Sequence, residues 1–223
     1  MTPARRAAVT ALVAAALSTA GCSTGNPYVS AEVPACATGD DARAASGVVL
    51  MAQAVPTATW VPCVESMPAG WTFAGLDAQA GSARFWLDSD RDGAQAIEVR
   101  FTADCDTRGA TEIPSERYGL SRFERVTQVT PQYLGRRYYV FPGGCLTVVF
   151  TLSGDNRGEA LALATQSIGV VGREELAGQV HEASGRRLHL DPPAGRGDPP
   201  CPPSYRRPRP AGRRGALRSG AGC

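Results

Sequence analysis

Apolar and polar residues alternate with period two through the middle of this 223-residue chain, which predicts strands that bury one face. In Ala83–Asp88, the residues Ala83, Phe85 and Leu87 alternate with Arg84, Trp86 and Asp88. In Ile97–Phe101, the residues Ile97, Val99 and Phe101 alternate with Glu98 and Arg100. The polar stretch between them ends in Asp92-Gly93, a hairpin turn signal. A second hairpin is expected to join Arg137–Phe141 to Leu146–Leu152 through Pro142-Gly143-Gly144. Trp71–Leu76 and Leu120–Val129 read as further strands, and Leu188–Leu190 as a small edge strand.

Helical spacing marks the two ends of the same region. Asp40 and Asp41 suit the N-cap and first turn of a helix over Ala42–Ala54, which Pro56 stops. Gly158–Ile168 places Leu161, Ala164 and Ile168 on one face, and Arg173–Glu182 follows as a short helix after Gly169 and Gly172. The pattern predicts one α+β domain over residues 36–190. Its expected core is an antiparallel sheet of five or six strands, with N- and C-terminal helices packed on one face.

The first residues follow a different logic. Arg5 and Arg6 precede an apolar run of about 14 residues, short of the roughly 20 that cross a bilayer, so residues 1–21 read as a secretory signal peptide. Thr19-Ala20-Gly21-Cys22 resembles the lipobox of bacterial lipoproteins. The resemblance implies a lipidated Cys22 and a protein held by membrane lipid on the extracytoplasmic face of the plasma membrane, with full secretion as the alternative. Residues 22–35, rich in small residues, are expected to be a flexible tether.

All 23 basic residues are Arg, the coding bias of GC-rich bacteria before it is a binding signal. Residues 22–190 carry 14 Arg against 19 acids, a net charge of −5, which argues against nucleic acid as a partner. Residues 191–223 carry 7 Arg, 8 Pro and 6 Gly, a composition that cannot bury a core and is expected to be disordered. Cys36, Cys63, Cys105 and Cys145 form an even set without C-x-x-C spacing, so disulfides are favoured over a metal site. Three connectivities are possible, and the pairing of nearest neighbours, Cys36 with Cys63 and Cys105 with Cys145, is expected.

Candidate chemistry is sparse. Asp88, Asp90 and Asp92 in D-x-D-x-D-G match the opening half of a calcium loop, since Ca²⁺ takes six to eight oxygens. The twelfth position is Val99 where a bidentate Glu belongs, and a solvated hairpin tip uses the same residues for turn chemistry alone. Arg137, Tyr138 and Tyr139, with Arg117-Tyr118 and Arg122-Phe123 nearby, could stack on sugar rings. In a domain of net charge −5, an ordinary strand with one aromatic face in the core and Arg stems over the other is the favoured account of them. Glu116 with Glu124, or Asp104 with Asp106, could be paired carboxylates for glycoside hydrolysis. No G-x-S-x-G precedes a helix and no H-E-x-x-H occurs, so no cofactor and no catalytic residue is assigned.

Pro68-Ala69-Gly70-Trp71 at the start of the sheet, with terminal helices, resembles small PsbP-like lipoproteins. That resemblance implies a fold and no activity. The expectation is a lipid-anchored envelope protein that binds or scaffolds, with envelope proteins or glycans as its partners. A small-ligand or glycan-binding module and an extracytoplasmic hydrolase are the alternatives.

Overall fold

The computed structural model describes residues 28–36, 45–115 and 117–190. They are mostly β, with two antiparallel sheets, three helices and two disulfides. The strands are β1 (Tyr28–Ser30), β2 (Trp60–Val64), β3 (Trp71–Gln79), β4 (Ser82–Ser89), β5 (Gly93–Thr102), β6 (Thr111–Ile113), β7 (Ser121–Gln128), β8 (Tyr133–Phe141), β9 (Gly144–Leu152) and β10 (Ile168–Gly172). The helices are α1 (Ser46–Ala54), α2 (Arg157–Ser167) and α3 (Arg173–Ala183). Eight strands form one sheet in the order β1-β3-β4-β5-β9-β8-β7-β6, and β10 pairs with β2 in a second.

The large sheet exceeds the five or six strands expected because two short strands, β1 and β6, extend its edges. β1 lies inside the segment read as tether, where Tyr28, Val29 and Ser30 pair with Ala78, Asp77 and Leu76. The expected helix over residues 42–54 is observed from Ser46, and Asp40 and Asp41 lie outside the described residues. Leu188–Leu190 forms no strand. The backbone of Leu188 is used locally, its N–H donating to Ser184 Oγ at 2.9 Å and its carbonyl lying 3.3 Å from His181 Nδ1. The signal peptide (1–21), Cys22 and the tail (191–223) lie outside the described residues.

One row of cross-strand neighbours shows how the sheet is organised. Leu76, Phe85, Val99, Val148, Arg137 and Glu124 face each other in register from β3 to β7. The next row runs Ala78, Ala83, Phe101, Leu146, Tyr139 and Arg122. Both rows are apolar and buried as far as β9, then turn polar on β8 and β7. Helices cover this face. Gly47 of α1 leaves room only for Leu76 and Pro34 above it, and Arg137 reaches Thr165 of α2. Phe85, Phe101, Phe150, Ile97 and Leu161 lie fully inside, each nearly inaccessible, and burying such side chains contributes about 1.5–3 kcal/mol apiece.

The opposite face is polar over β3–β5, where Asp77 pairs with Arg84 and Glu98 with Arg100. Its β8–β9 part is covered by the connection from β5 to β6. Cys105 in that connection is bonded to Cys145 of β9, and Arg125 donates to Arg108 O at 2.8 Å. Cys36 and Cys63 are likewise bonded, fastening the segment before α1 to β2.

Candidate functional site

The polar end of the helix-covered face opens into a cleft. It is lined by Ser115, Arg117, Arg122, Arg137, Tyr139, Ala162, Thr165 and Gln166, and its volume is about 140 Å³. Strands β7 and β8 supply Arg122, Arg137 and Tyr139, α2 supplies Ala162, Thr165 and Gln166, and the β6–β7 connection supplies Ser115 and Arg117. The period-two rule puts Arg137 and Tyr139 on the same side, and register brings Arg122 directly opposite Tyr139. Leu120, Leu146, Ile168 and Val170 close the floor beneath Tyr139.

Arg137 is held firmly. Its Nε donates to Glu124 Oε2 at 2.8 Å, its Nη2 lies 2.7 Å from the same oxygen, and its Nη1 donates to Thr165 Oγ1 at 3.1 Å. Burial works against its charge, but the hydrogen bond and charge of Glu124, joined by Tyr139, hold its pKa above the ordinary Arg value. Arg117 donates to Ile168 O at 2.8 Å and lies 3.8 Å from Glu65 Oε1. Ser115 steadies this corner, its Oγ donating to Arg117 O and accepting from Arg117 N–H.

The three residues expected to form an aromatic-basic surface are divided by the sheet. Arg137 and Tyr139 line the cleft, whereas Tyr138 points to the other face and is only 2 % exposed. Tyr138 faces Phe123 and Thr147 across its neighbouring strands. The strand alternation that was legible in the sequence already separates it from its two neighbours.

The aspartates of the β4–β5 hairpin serve the turn and a neighbouring loop. Asp88 Oδ1 accepts from Gln95 N–H at 2.7 Å. Asp92 Oδ1 accepts from the N–H groups of Ser153 and Gly154, both at 2.9 Å, and Asp92 Oδ2 accepts from Ser89 Oγ at 3.0 Å. Asp90 donates its own N–H to Gly70 O at 2.9 Å, tying the hairpin to the turn before Trp71. Among the described residues, no three His, Cys, Asp or Glu side chains converge in a way that could hold a metal ion.

The carboxylates considered for hydrolysis are also engaged. Glu124 is bound by Arg137, and Asp106 by Arg108 at 2.7 Å, while Glu116 lies outside the described residues. His181 and His189 stack with ring centroids 4.4 Å apart at the end of α3, away from the cleft lining. Sequence reading grouped Arg117 and Arg122 with Arg137, but it did not bring in Ser115 or the α2 residues, which join them only through tertiary packing. The pairing of Arg122 with Tyr139 was within reach from strand register alone.

Comparison of the chain with protein-family models, with curated proteins and with solved structures finds no match. No described helix is long and apolar enough to cross a membrane.

Proposed function

We propose that this chain is an exported domain, held at the outer face of the plasma membrane through lipid on Cys22, that acts by binding an envelope glycan or similar anionic polymer. Support for export comes from the lipobox-like Ala20-Gly21-Cys22 and from two disulfides, which persist in oxidising compartments. The observation that carries the binding reading is the arginine-lined cleft between α2 and the β7–β8 strands. Its lining holds no histidine and no cysteine, so it is suited to recognition more than to acid–base or nucleophilic chemistry. Tyr118, next to Arg117 in sequence, is fully exposed and offers a ring face on which a sugar can rest.

Two measurements test this. Cys22→Ser is expected to move the protein from membranes to the soluble fraction and to remove the acyl mass; continued membrane association with an unmodified mass would overturn the anchor. Ala162→Trp, at an exposed position of α2, is expected to fill the cleft. Retention of the variant on immobilised envelope glycan should fall at least tenfold, with no loss of melting temperature. Undiminished retention would show that the cleft is not the binding surface.

A further inference from the structure

Two of the three cleft arginines have work to do within the fold. The last turn of α2 carries no basic residue of its own. Arg117 donates to Ile168 O just beyond it, and Arg137 donates to Thr165, so both place positive charge where a helix C-terminus favours it. Each also has a carboxylate, Glu65 for Arg117 and Glu124 for Arg137. Arg122 has neither role. It lines the cleft, yet it has no hydrogen-bond or ion-pair partner among the described residues, and its Nε is shielded from solvent without an acceptor.

Its cross-strand neighbours are Tyr139 and Ile113, so no acid faces it in the sheet. Among the described residues, three guanidinium groups stand against two carboxylates in the cleft, and the Nε of the third guanidinium is shielded from solvent. A shielded donor without an acceptor is costly, the more so when the group is charged. The Nη groups of Arg122 are not among the shielded atoms, so an acceptor brought by a ligand can reach the guanidinium there. Shielded atoms without a partner also occur elsewhere, at Asp77 Oδ1 and Arg125 Nε, but Asp77 is paired with Arg84, Arg125 donates to Arg108 O, and neither lines this cleft.

We infer that the cleft takes an oxyanion group, carboxylate or phosphate, with the Arg122 guanidinium as its charged donor. This rests on the reading of the cleft as the binding surface and names what that surface recognises. A planar guanidinium presents paired donors that match two oxygens of such a group. The size agrees: about 140 Å³ is well below the roughly 300–1,000 Å³ of a site that encloses a whole ligand. The cleft therefore grips one charged substituent, while the sugar that bears it lies outside.

The test is a titration of the full exported protein, followed through the Arg122 Nε–Hε resonance at constant ionic strength. The probes are acetate, glucuronate, inorganic phosphate and neutral N-acetylglucosamine. A saturable shift with at least one anion is expected, weakened tenfold or more in Arg122→Gln; Arg122→Lys, which keeps the charge but loses the fork, should also bind more weakly. Saturation by acetate and glucuronate alone identifies a carboxylate ligand, and saturation by phosphate alone a phosphorylated one. A neutral sugar that perturbs Tyr139 and Gln166 while no anion moves Arg122 would overturn the oxyanion assignment and leave the binding cleft standing. If no probe perturbs the cleft lining, both readings fall.

Discussion

Arg173 and Val55 stand 118 residues apart in sequence, and the guanidinium of the first donates to the carbonyl of the second at 2.8 Å. The same side chain donates to Ala52 O and Ala58 O, both at 2.7 Å, and Arg173 is only 3 % exposed. Its hydrogen bonds gather carbonyls at the C-terminal end of α1, where no basic residue of that helix is available. Arg173→Met keeps volume but strands those acceptors, each costing about 1–3 kcal/mol when buried. The variant is expected to lose about 3 kcal/mol or more in chemical denaturation. A loss below ~1 kcal/mol would show that water reaches the carbonyls instead.

The Cys105–Cys145 bond closes a loop with a sequence separation of 40 and pins the β5–β6 connection over Tyr138. Chain-entropy reasoning assigns such a crosslink about 4 kcal/mol. Replacing both cysteines by Ser should lower stability by roughly 2–4 kcal/mol and expose Tyr138 to quenchers of its fluorescence. Peptide mapping without reductant should recover Cys36 with Cys63 and Cys105 with Cys145. Free thiols, or any other pairing, would contradict the structure.

Asp92 joins the β4–β5 hairpin to the loop before α2 through the N–H groups of Ser153 and Gly154. Charge-assisted bonds of this kind contribute about 1.5–3 kcal/mol together with the groups they satisfy. Asp92→Ala is therefore expected to destabilise by about 2 kcal/mol, equally in millimolar Ca²⁺ and in chelator. A rise in melting temperature on adding Ca²⁺ to the unaltered protein would instead reveal a metal role for Asp88, Asp90 and Asp92.

Asp106 accepts from the Nε, Nη2 and backbone N–H of Arg108. These hydrogen bonds lower its pKa from 3.8 to about 2. A depressed carboxylate pKa stabilises the folded state above the ordinary value, and that contribution disappears as pH falls through about 2. A carbon-detected NMR titration should place the Asp106 midpoint near 2. Arg108→Ala should raise it toward 3.8, stopping short because the backbone N–H at residue 108 remains. An unchanged midpoint would assign the shift to another cause.

The strands that alternate cleanly were readable in advance, because a sheet with one buried face imposes period two on its sequence. β4 carries that pattern along its whole length, and β5 and β9 carry it over residues 97–102 and 148–152. β2 and β10 do not. Four of the five residues of β2 are buried on both sides of the ribbon, and Pro62 interrupts its donors. β10 contains Gly169, which looks like a break until its neighbours are seen. A Cβ there would meet Glu65 and the sulfur of Cys36, so the glycine allows a close approach. The cleft was partly legible for a related reason. Arg137, Tyr139 and Arg122 follow from strand register, whereas Arg117 and Thr165 arrive from segments whose meeting no local pattern encodes.

The pairing of Tyr28–Ser30 with β3 shortens the leash on this molecule. Between Cys22 and β1 only residues 23–27 remain, and a chain of that length reaches about 20 Å when fully drawn out. Lipid on Cys22, as proposed, would moor the sheet by its β1 margin close to the headgroups. β8 lies five strand spacings away, about 24 Å further on. So moored, the domain would pivot without roaming, and the arginine cleft would stand out from the headgroups toward the polymer proposed as its ligand.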